Sequence, residues 1–387
     1  MNETKVKNER GKFPHVFSEC KIGSVTLPNR VVFPAWVLNY ANTDGTVSDK
    51  LMKYYTDLAE GGCGLIFTGA ATVTDDGIPF DRVMSVSSDK CIPGLKKLFA
   101  AVKKTGAKAG IQIVHYGRQS STSASGDVLM APSAIPCPVM SQYDPEYKVR
   151  EMTLEDIEMM REAFIAAALR AVKAGVDVVE IHACNGYLLN EFLSPYSNKR
   201  EDNYGGSAEN RARLVVEILA GIRSRLKDPA AVGLRVSGDE FVEGGLRPDD
   251  FKELVPMFEK AGMQMLNTTA GVYESMAHIV PPKDMGETPH VDMAAQIKQF
   301  TSVPVCAVGS ILTIETAESI LASGKAGLIA MGRAQMADPA IVRKTAEGRE
   351  AGIMKCKHCN NCTFWTTGDP EVYCAVNPDY KKPAASA

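Results

Sequence analysis

The chain lacks any apolar run near the roughly 18 residues a membrane-spanning helix needs, so no span is expected. Its first residues, Met1 to Lys12, are polar and lack the apolar centre of a signal peptide. It also lacks a basic tract of the kind nucleic acid demands, and the net charge is −3 with a pI of about 6.1. No tandem repeat is visible. These absences argue against a membrane protein and a nucleic-acid binder and lead us to expect a cytoplasmic protein acting on small molecules. A disulfide framework is absent too. Of ten cysteines, Cys20, Cys63, Cys91, Cys137, Cys184 and Cys306 are scattered, whereas Cys356, Cys359, Cys362 and Cys374 crowd the C-terminal end.

What is present is an alternation of short apolar, β-rich runs with helical stretches. Strands are expected at Arg30–Phe33, Gly64–Thr68, Ala109–Val114, Asp177–His182, Ala231–Val236, Met265–Thr268, Val303–Val308 and Gly327–Met331. Asp49–Glu60 has helical spacing. Thr153 to Asp156 reads as a capping box opening a helix to about Ala174, and Ser207 as the N-cap of Ala208–Leu226. Strand–helix alternation predicts a parallel sheet, and eight units predict an α/β fold of the (β/α)8 TIM-barrel type. We expect residues 1–350 to form the barrel and 351–387 a cysteine-rich, metal-binding tail, frayed at Lys381–Ala387. Long loops are expected at Gly117–Arg150, Ser194–Gly206 and Gly271–His290, on the face where such barrels carry out chemistry.

The fourth strand runs directly into His182-Ala183-Cys184-Asn185-Gly186-Tyr187. An imidazole and an amide three residues apart can hold one substrate oxygen, and the phenol two residues on can deliver a proton. That set suits reduction of a double bond conjugated to a carbonyl. Gln112 and Arg235 interrupt apolar strands, and a buried arginine is costly unless paired. Either Arg235 forms an internal salt bridge to Glu180 or Asp239, or both residues face an electron-rich ligand. A reduced flavin, negative at its N1–C2=O edge, fits the second case. Gly309-Ser310 and Gly332-Arg333 end the last two strands, where barrels commonly cradle a phosphate.

Near the end, Cys356, Cys359, Cys362 and Cys374 form C-x2-C-x2-C-x11-C. Four thiolates on two short turns suit a [4Fe–4S] cluster or zinc; the remaining alternative is reduced free thiols.

Together these residues resemble the flavin-dependent old yellow enzyme family, the NADH:flavin oxidoreductases. The resemblance runs from about Phe17 to Pro378. It is carried by Leu27-Pro28-Asn29-Arg30, by Gln112 to Arg118, by Ser194 to Ser207 with Glu209-Asn210-Arg211, and by Gly332-Arg333-Ala334 with Ala337-Asp338-Pro339. It implies FMN at the barrel mouth. Pro34, Ala35 and Trp36 would lie under the flavin edge, and Gly69 and Ala70 close to the ring. Gln112 would bond the pyrimidine edge, Arg235 would sit at N1, and Gly309, Ser310, Gly332 and Arg333 would hold the phosphate. His182 and Asn185 match the family's carbonyl-binding pair and Tyr187 its proton donor. Val37 departs from the pattern, standing where many relatives place a Thr or Cys that bonds the flavin.

The cysteine spacing is similar to the barrel and iron–sulfur part of 2,4-dienoyl-CoA reductase and of trimethylamine dehydrogenase. Such relatives continue into a Rossmann-type domain, whereas no G-x-G-x-x-G follows the barrel here. The resemblance therefore implies an NAD(P)H-dependent ene-reductase acting on an enone, enoate, dienoyl thioester or ketosteroid. The alternative is an electron-transfer flavo-iron–sulfur subunit or amine-type dehydrogenase served by a partner flavoprotein; a homo-oligomer is compatible with either. For a thioester, Lys199, Arg200 and Lys283 would meet CoA phosphates; otherwise they form a solvated loop face.

Overall fold

The computed structural model describes residues 11–76, 78–121, 128–144, 146–226 and 229–382. Most of the polar N-terminal stretch, part of the loop Gly117–Arg150 and the end of the expected frayed segment lie outside these residues. Eight strands form the barrel: β1 (Val31–Phe33), β2 (Leu65–Thr72), β3 (Lys108–Val114), β4 (Val178–Ala183), β5 (Ala231–Ser237), β6 (Met265–Thr269), β7 (Val305–Ala307) and β8 (Leu328–Ala330). Each pairs in parallel with the next, and β8 pairs with β1, closing the ring. The helices between them are α1 (Asp49–Glu60), α2 (Ile92–Lys103), α3 (Leu154–Lys173), α4 (Ala208–Arg225), α5 (Phe251–Lys260), α6 (Val291–Lys298) and α7 (Ile314–Ala322); α8 (Ile341–Ala346) follows β8. The expected (β/α)8 architecture is therefore present.

Strand periodicity explains how the site is placed. Along β4, Val179, Ile181 and Ala183 join the core shared with the outer helices, while Val178 packs inside the barrel with Phe67, Met265 and Leu328. Glu180 and His182 share the inward parity of Val178, so the strand carries polar groups upward through the barrel centre. The expected caps form. Thr153 and Asp156 make a reciprocal capping box on α3, and the Ser207 side chain accepts from the Asn210 N–H at the start of α4.

Several elements were not named from the sequence, among them helices α5 to α8. An antiparallel hairpin, Cys20–Ile22 with Val25–Leu27, plugs the barrel with Cys20, Ile22 and Leu27. Helix α2 opens through a Pro in its first turn. Within the loop Gly117–Arg150, Leu129–Ala131 pairs in parallel with Val149–Glu151.

Beyond residue 350 the chain folds back onto the barrel. Cys362, Val372 and Tyr380 belong to the main core. Glu371 receives bonds from Lys50 at 2.6 Å and Arg82 at 2.9 Å, and the Asn377 amide donates to Met336 O at 3.0 Å. Among the described residues no helix is long and apolar enough to cross a membrane.

Candidate active site at the barrel mouth

A cavity of about 920 Å3, counting its open mouth, lies over the C-terminal ends of the strands. Ala35, Trp36, Val37, Ala70, Gln112, His182, Asn185, Tyr187 and Arg235 line it. A narrower cavity of about 470 Å3 adjoins it, lined by Pro34, Gly309, Ser310, Gly332 and Arg333. Trp36 and Arg235 line both. Gly69 stands just behind, in a small recess it shares with Trp36 and Ala70. The predicted flavin and substrate residues thus converge on one continuous trough.

His182 is buried, and its Nδ1 accepts from the Cys184 N–H at 3.4 Å. The hydrogen therefore sits on Nε2, which lies 3.7 Å from Cys184 Sγ and can donate to a ligand. Burial, reinforced by the Arg235 charge, pulls the imidazole down to about 3, so it is a neutral donor at ordinary pH. Asn185 adopts a left-handed backbone, φ 55°, and its amide donates to Ala270 O at 3.2 Å and Gly271 O at 3.3 Å. It lines the cavity with its donors already engaged, so the two halves of the expected pair are not equally free.

The Tyr187 ring lies 4.9 Å from that of His182, and its hydroxyl is 3.2 Å from that of Tyr273. Burial raises the Tyr187 phenol well above its ordinary range and Tyr273 to about 12. Tyr187 therefore stays protonated until something takes its proton.

The internal salt bridge considered for Arg235 does not form among the described residues. Glu180 instead accepts from Gln112 at 2.6 Å and Asn267 at 2.9 Å, and Asp239 pairs with Arg247 at 2.6 Å. Arg235 is left with Nε and Nη1 buried and unpartnered where the two cavities join. Unsatisfied buried donors of this kind call for an acceptor. In the narrow cavity Arg333 donates to Ser310 Oγ at 2.8 Å and to Pro281 O at 2.7 Å. Gly309, at φ 117°, could not carry a Cβ, which would come within 2.7 Å of His290. These features fit a flavin mononucleotide: unpartnered donors at the centre and a glycine-lined cationic pocket at one end.

Cys356, Cys359, Cys362 and Cys374 line a third cavity, of about 300 Å3, together with Arg333. Among the described residues no three His, Cys, Asp or Glu side chains are grouped to hold a single metal ion. Four thiols opening onto one cavity are a donor set suited to a thiolate-bound group.

Several lining residues were not anticipated: Tyr273 from the loop after β6, Phe80 from the loop after β2, and Phe364 and Trp365 from beyond the cysteines. Their sequence neighbourhoods give no signal, because only the fold brings them together. Lys199, Arg200 and Lys283 do not line the main cavity. Arg200 is buried, bonding Pro132 O at 3.0 Å, Met152 O at 2.6 Å and Asp202. It braces the loop Ser194–Gly206 and belongs neither to a CoA site nor to a solvated face.

The model of the NADH:flavin oxidoreductase / NADH oxidase family matches residues 15–352. An NADH oxidase of Thermoanaerobacter brockii is 39% identical over 90% of this chain and 53% of its own length. An NADPH dehydrogenase of Listeria innocua is 35% identical over 86% of this chain and 94% of its own. The chain thus spans about half the length of the first of these relatives. A solved structure of 2-naphthoyl-CoA reductase with 2-naphthoyl-CoA superposes with a TM-score of 0.89, at 30% identity, over 95% of this chain and 57% of that one. The chain belongs to the NADH:flavin oxidoreductase / NADH oxidase family.

Proposed function

We propose that this family member is an FMN-dependent ene-reductase that takes hydride from NADH or NADPH and reduces the C=C bond of an α,β-unsaturated carbonyl compound. The observation that carries this reading is the junction at Arg235. Its guanidinium, with Nε and Nη1 unpartnered, lines both the cavity holding His182 and Tyr187 and the cavity holding Ser310 and Arg333. Bound FMN would supply the hydride relay between nicotinamide and alkene. Gln112 and Arg235 would hold its pyrimidine edge, and Pro34, Ala35, Trp36, Gly69 and Ala70 would flank its ring. Gly309, Ser310, Gly332 and Arg333 would bind its phosphate.

The rest is done by side chains. Neutral His182 donates from Nε2 to the substrate carbonyl oxygen, where negative charge grows; one such donor is worth about 3 kcal/mol. Asn185 adds a second donor once its amide leaves Ala270 and Gly271. Tyr187 protonates the α-carbon. The Tyr273 hydroxyl, 3.2 Å away, then passes a proton to the phenolate and is itself reprotonated from solvent. The product has gained one hydride and one proton. The four cysteines, in the same reading, hold a [4Fe–4S] cluster; the support is four thiol donors opening onto one cavity. We read residues 1–350 as the catalytic barrel and 351–387 as its cluster-bearing extension.

The test is an anaerobic absorption spectrum before and after NADH or NADPH. A flavin band with a broad iron–sulfur shoulder, bleached by nicotinamide and restored by an enone, is expected. Tyr187→Phe should slow the enone step about 10²–10⁴-fold and leave bleaching intact. A flavin that stays oxidised under both nicotinamides would overturn the reading in favour of a partner-fed electron carrier.

A further inference from the structure

The cysteine loop and the narrow cavity are joined by two side chains that neither the cofactor nor the metal reading uses. His358 and Asn360 lie between the first three cysteines. His358 Nε2 is 2.9 Å from Pro281 O and 3.2 Å from Ser310 Oγ. A carbonyl can only accept, so Nε2 carries the hydrogen and points it at both oxygens. Asn360 Oδ1 accepts from Arg333 Nη1 at 2.5 Å, and its amide donates to Val280 O at 3.0 Å. Ser310 Oγ already receives Arg333 Nη2 at 2.8 Å, so its own hydrogen is left to donate outward. Ser310 and Arg333, the two side chains that would meet a phosphate, are thus each held by a residue of the cysteine loop.

Ahead of Asn360 the loop makes few other bonds to the barrel. His358 and Asn360 both sit in the left-handed region, at φ 57° and 56°. That conformation is uncommon for residues with a Cβ, although Asn and His adopt it more readily than most. Regular secondary structure is absent from Ile353 to Asn360. Besides the four bonds above, one anchor is the Met354 N–H on Asp338 at 2.8 Å. On its C-terminal side Trp36 Nε1 donates to Cys362 O at 3.2 Å, and the Thr363 N–H and hydroxyl bond Asn360 O at 3.0 and 2.7 Å. The cysteines flank both residues and open, with Arg333, onto one cavity.

We propose that metal held by the cysteine loop sets the affinity of the neighbouring pocket for the phosphate of FMN, acting through His358 and Asn360 as positioning residues for Ser310 and Arg333. With metal bound, the two residues are pinned and the phosphate pocket is preorganised. With metal lost, the loop relaxes, Ser310 and Arg333 lose their braces, and the phosphate end of the cofactor is released first. This rests on the FMN and metal readings above but adds a link between them.

Riboflavin, which has no phosphate, provides the discriminating probe. Dissociation constants for FMN and riboflavin would be measured by flavin fluorescence. The proteins are the purified wild type, the wild type stripped of metal by oxidation and chelation, and the variants Asn360→Ala and His358→Ala. Iron and zinc would be assayed, and folding checked by circular dichroism, on each. Loss of hydrogen bonds to charged groups predicts FMN affinity falling about 10–100-fold, with riboflavin affinity little changed. Stripped wild type should match the variants. A parallel fall for both flavins would overturn the proposal, since the loop would then merely support the whole mouth. So would a stripped protein whose preference for FMN over riboflavin is intact. Wild type that binds neither flavin would sink the flavin reading itself, and this inference with it.

Discussion

The two ends of the barrel interior are built from the same strands and obey opposite rules. At the bottom, Leu65, Phe67, Val178, Ala231, Met265 and Leu328 close on the hairpin residues Cys20, Ile22 and Leu27, and the packing is apolar throughout. At the top, Gln112, Glu180, His182, Arg235 and Asn267 face one another, and atoms of Arg235 and Asn267 have no partner. The hairpin end stores stability, and the loop end spends some of it on groups held ready for a ligand. Within β4 the change takes two residues, from Val178 to Glu180.

Two substitutions should separate the ends, and the larger effect is at the bottom. Phe67→Ala empties a fully buried aromatic site and should cost about 3–5 kcal/mol in denaturant unfolding, with the position of the flavin band unchanged. A shifted flavin band would mean that the ends are not independent. Arg235→Met should act in the opposite sense. It removes a guanidinium with buried, unsatisfied N–H groups, so the flavin-free protein should gain about 1–3 kcal/mol, read as a raised melting temperature. Flavin affinity should fall in the same variant. A flavin-free protein destabilised by Arg235→Met would show that the guanidinium is satisfied by water and that the mouth carries no such strain.

The bottom and the strands were legible because a buried strand announces itself locally. All eight expected strands are present; Val303–Val308, for example, contains β7 at Val305–Ala307. The caps at Thr153 and Ser207 were legible for the same reason. The hairpin at Cys20–Leu27 was not, because three-residue strands gain their stability from the barrel they plug. Helix α2 could have been found from the proline in its first turn. At the mouth, spacing brought out His182 and Tyr187 but could not show that Asn185 bonds Ala270 and Gly271, which arrive from another strand's loop. Nor could it show that Asn267 and Arg247 satisfy the carboxylates considered as partners for Arg235. Residue types are local, whereas partners depend on the closed ring.

The effect that is smallest per step of pH is a pH dependence carried by buried groups at the loop end. Glu191, on the turn of helix after Tyr187, is buried; its Oε1 accepts from the Arg118 N–H at 2.9 Å and its Oε2 has no partner. Burial raises it from 4.5 to about 8, with Arg118 opposing. Glu240 is raised by burial in the same sense, to about 7. A carboxyl whose folded value is raised favours the native state below its unfolded value, and that advantage is lost as pH climbs from 4.5 through 8. His182 has the reverse sign. Lowered from 6.5 to about 3, it favours the native state above 6.5, and its contribution is lost as pH falls towards 3. Within the barrel interior, this squeeze from both sides comes from the mouth rather than from the apolar layer below. Glu191→Gln keeps an acceptor for Arg118 and removes the titration. It should flatten the alkaline decline by up to about 1.4 kcal/mol per pH unit and leave the acid limb in place. An unchanged alkaline slope in melting temperature would move the cause to Glu240, which is also part of the mouth. A slope unchanged in the Glu191→Gln, Glu240→Gln double variant would place the titration outside the mouth and break the contrast between the two ends.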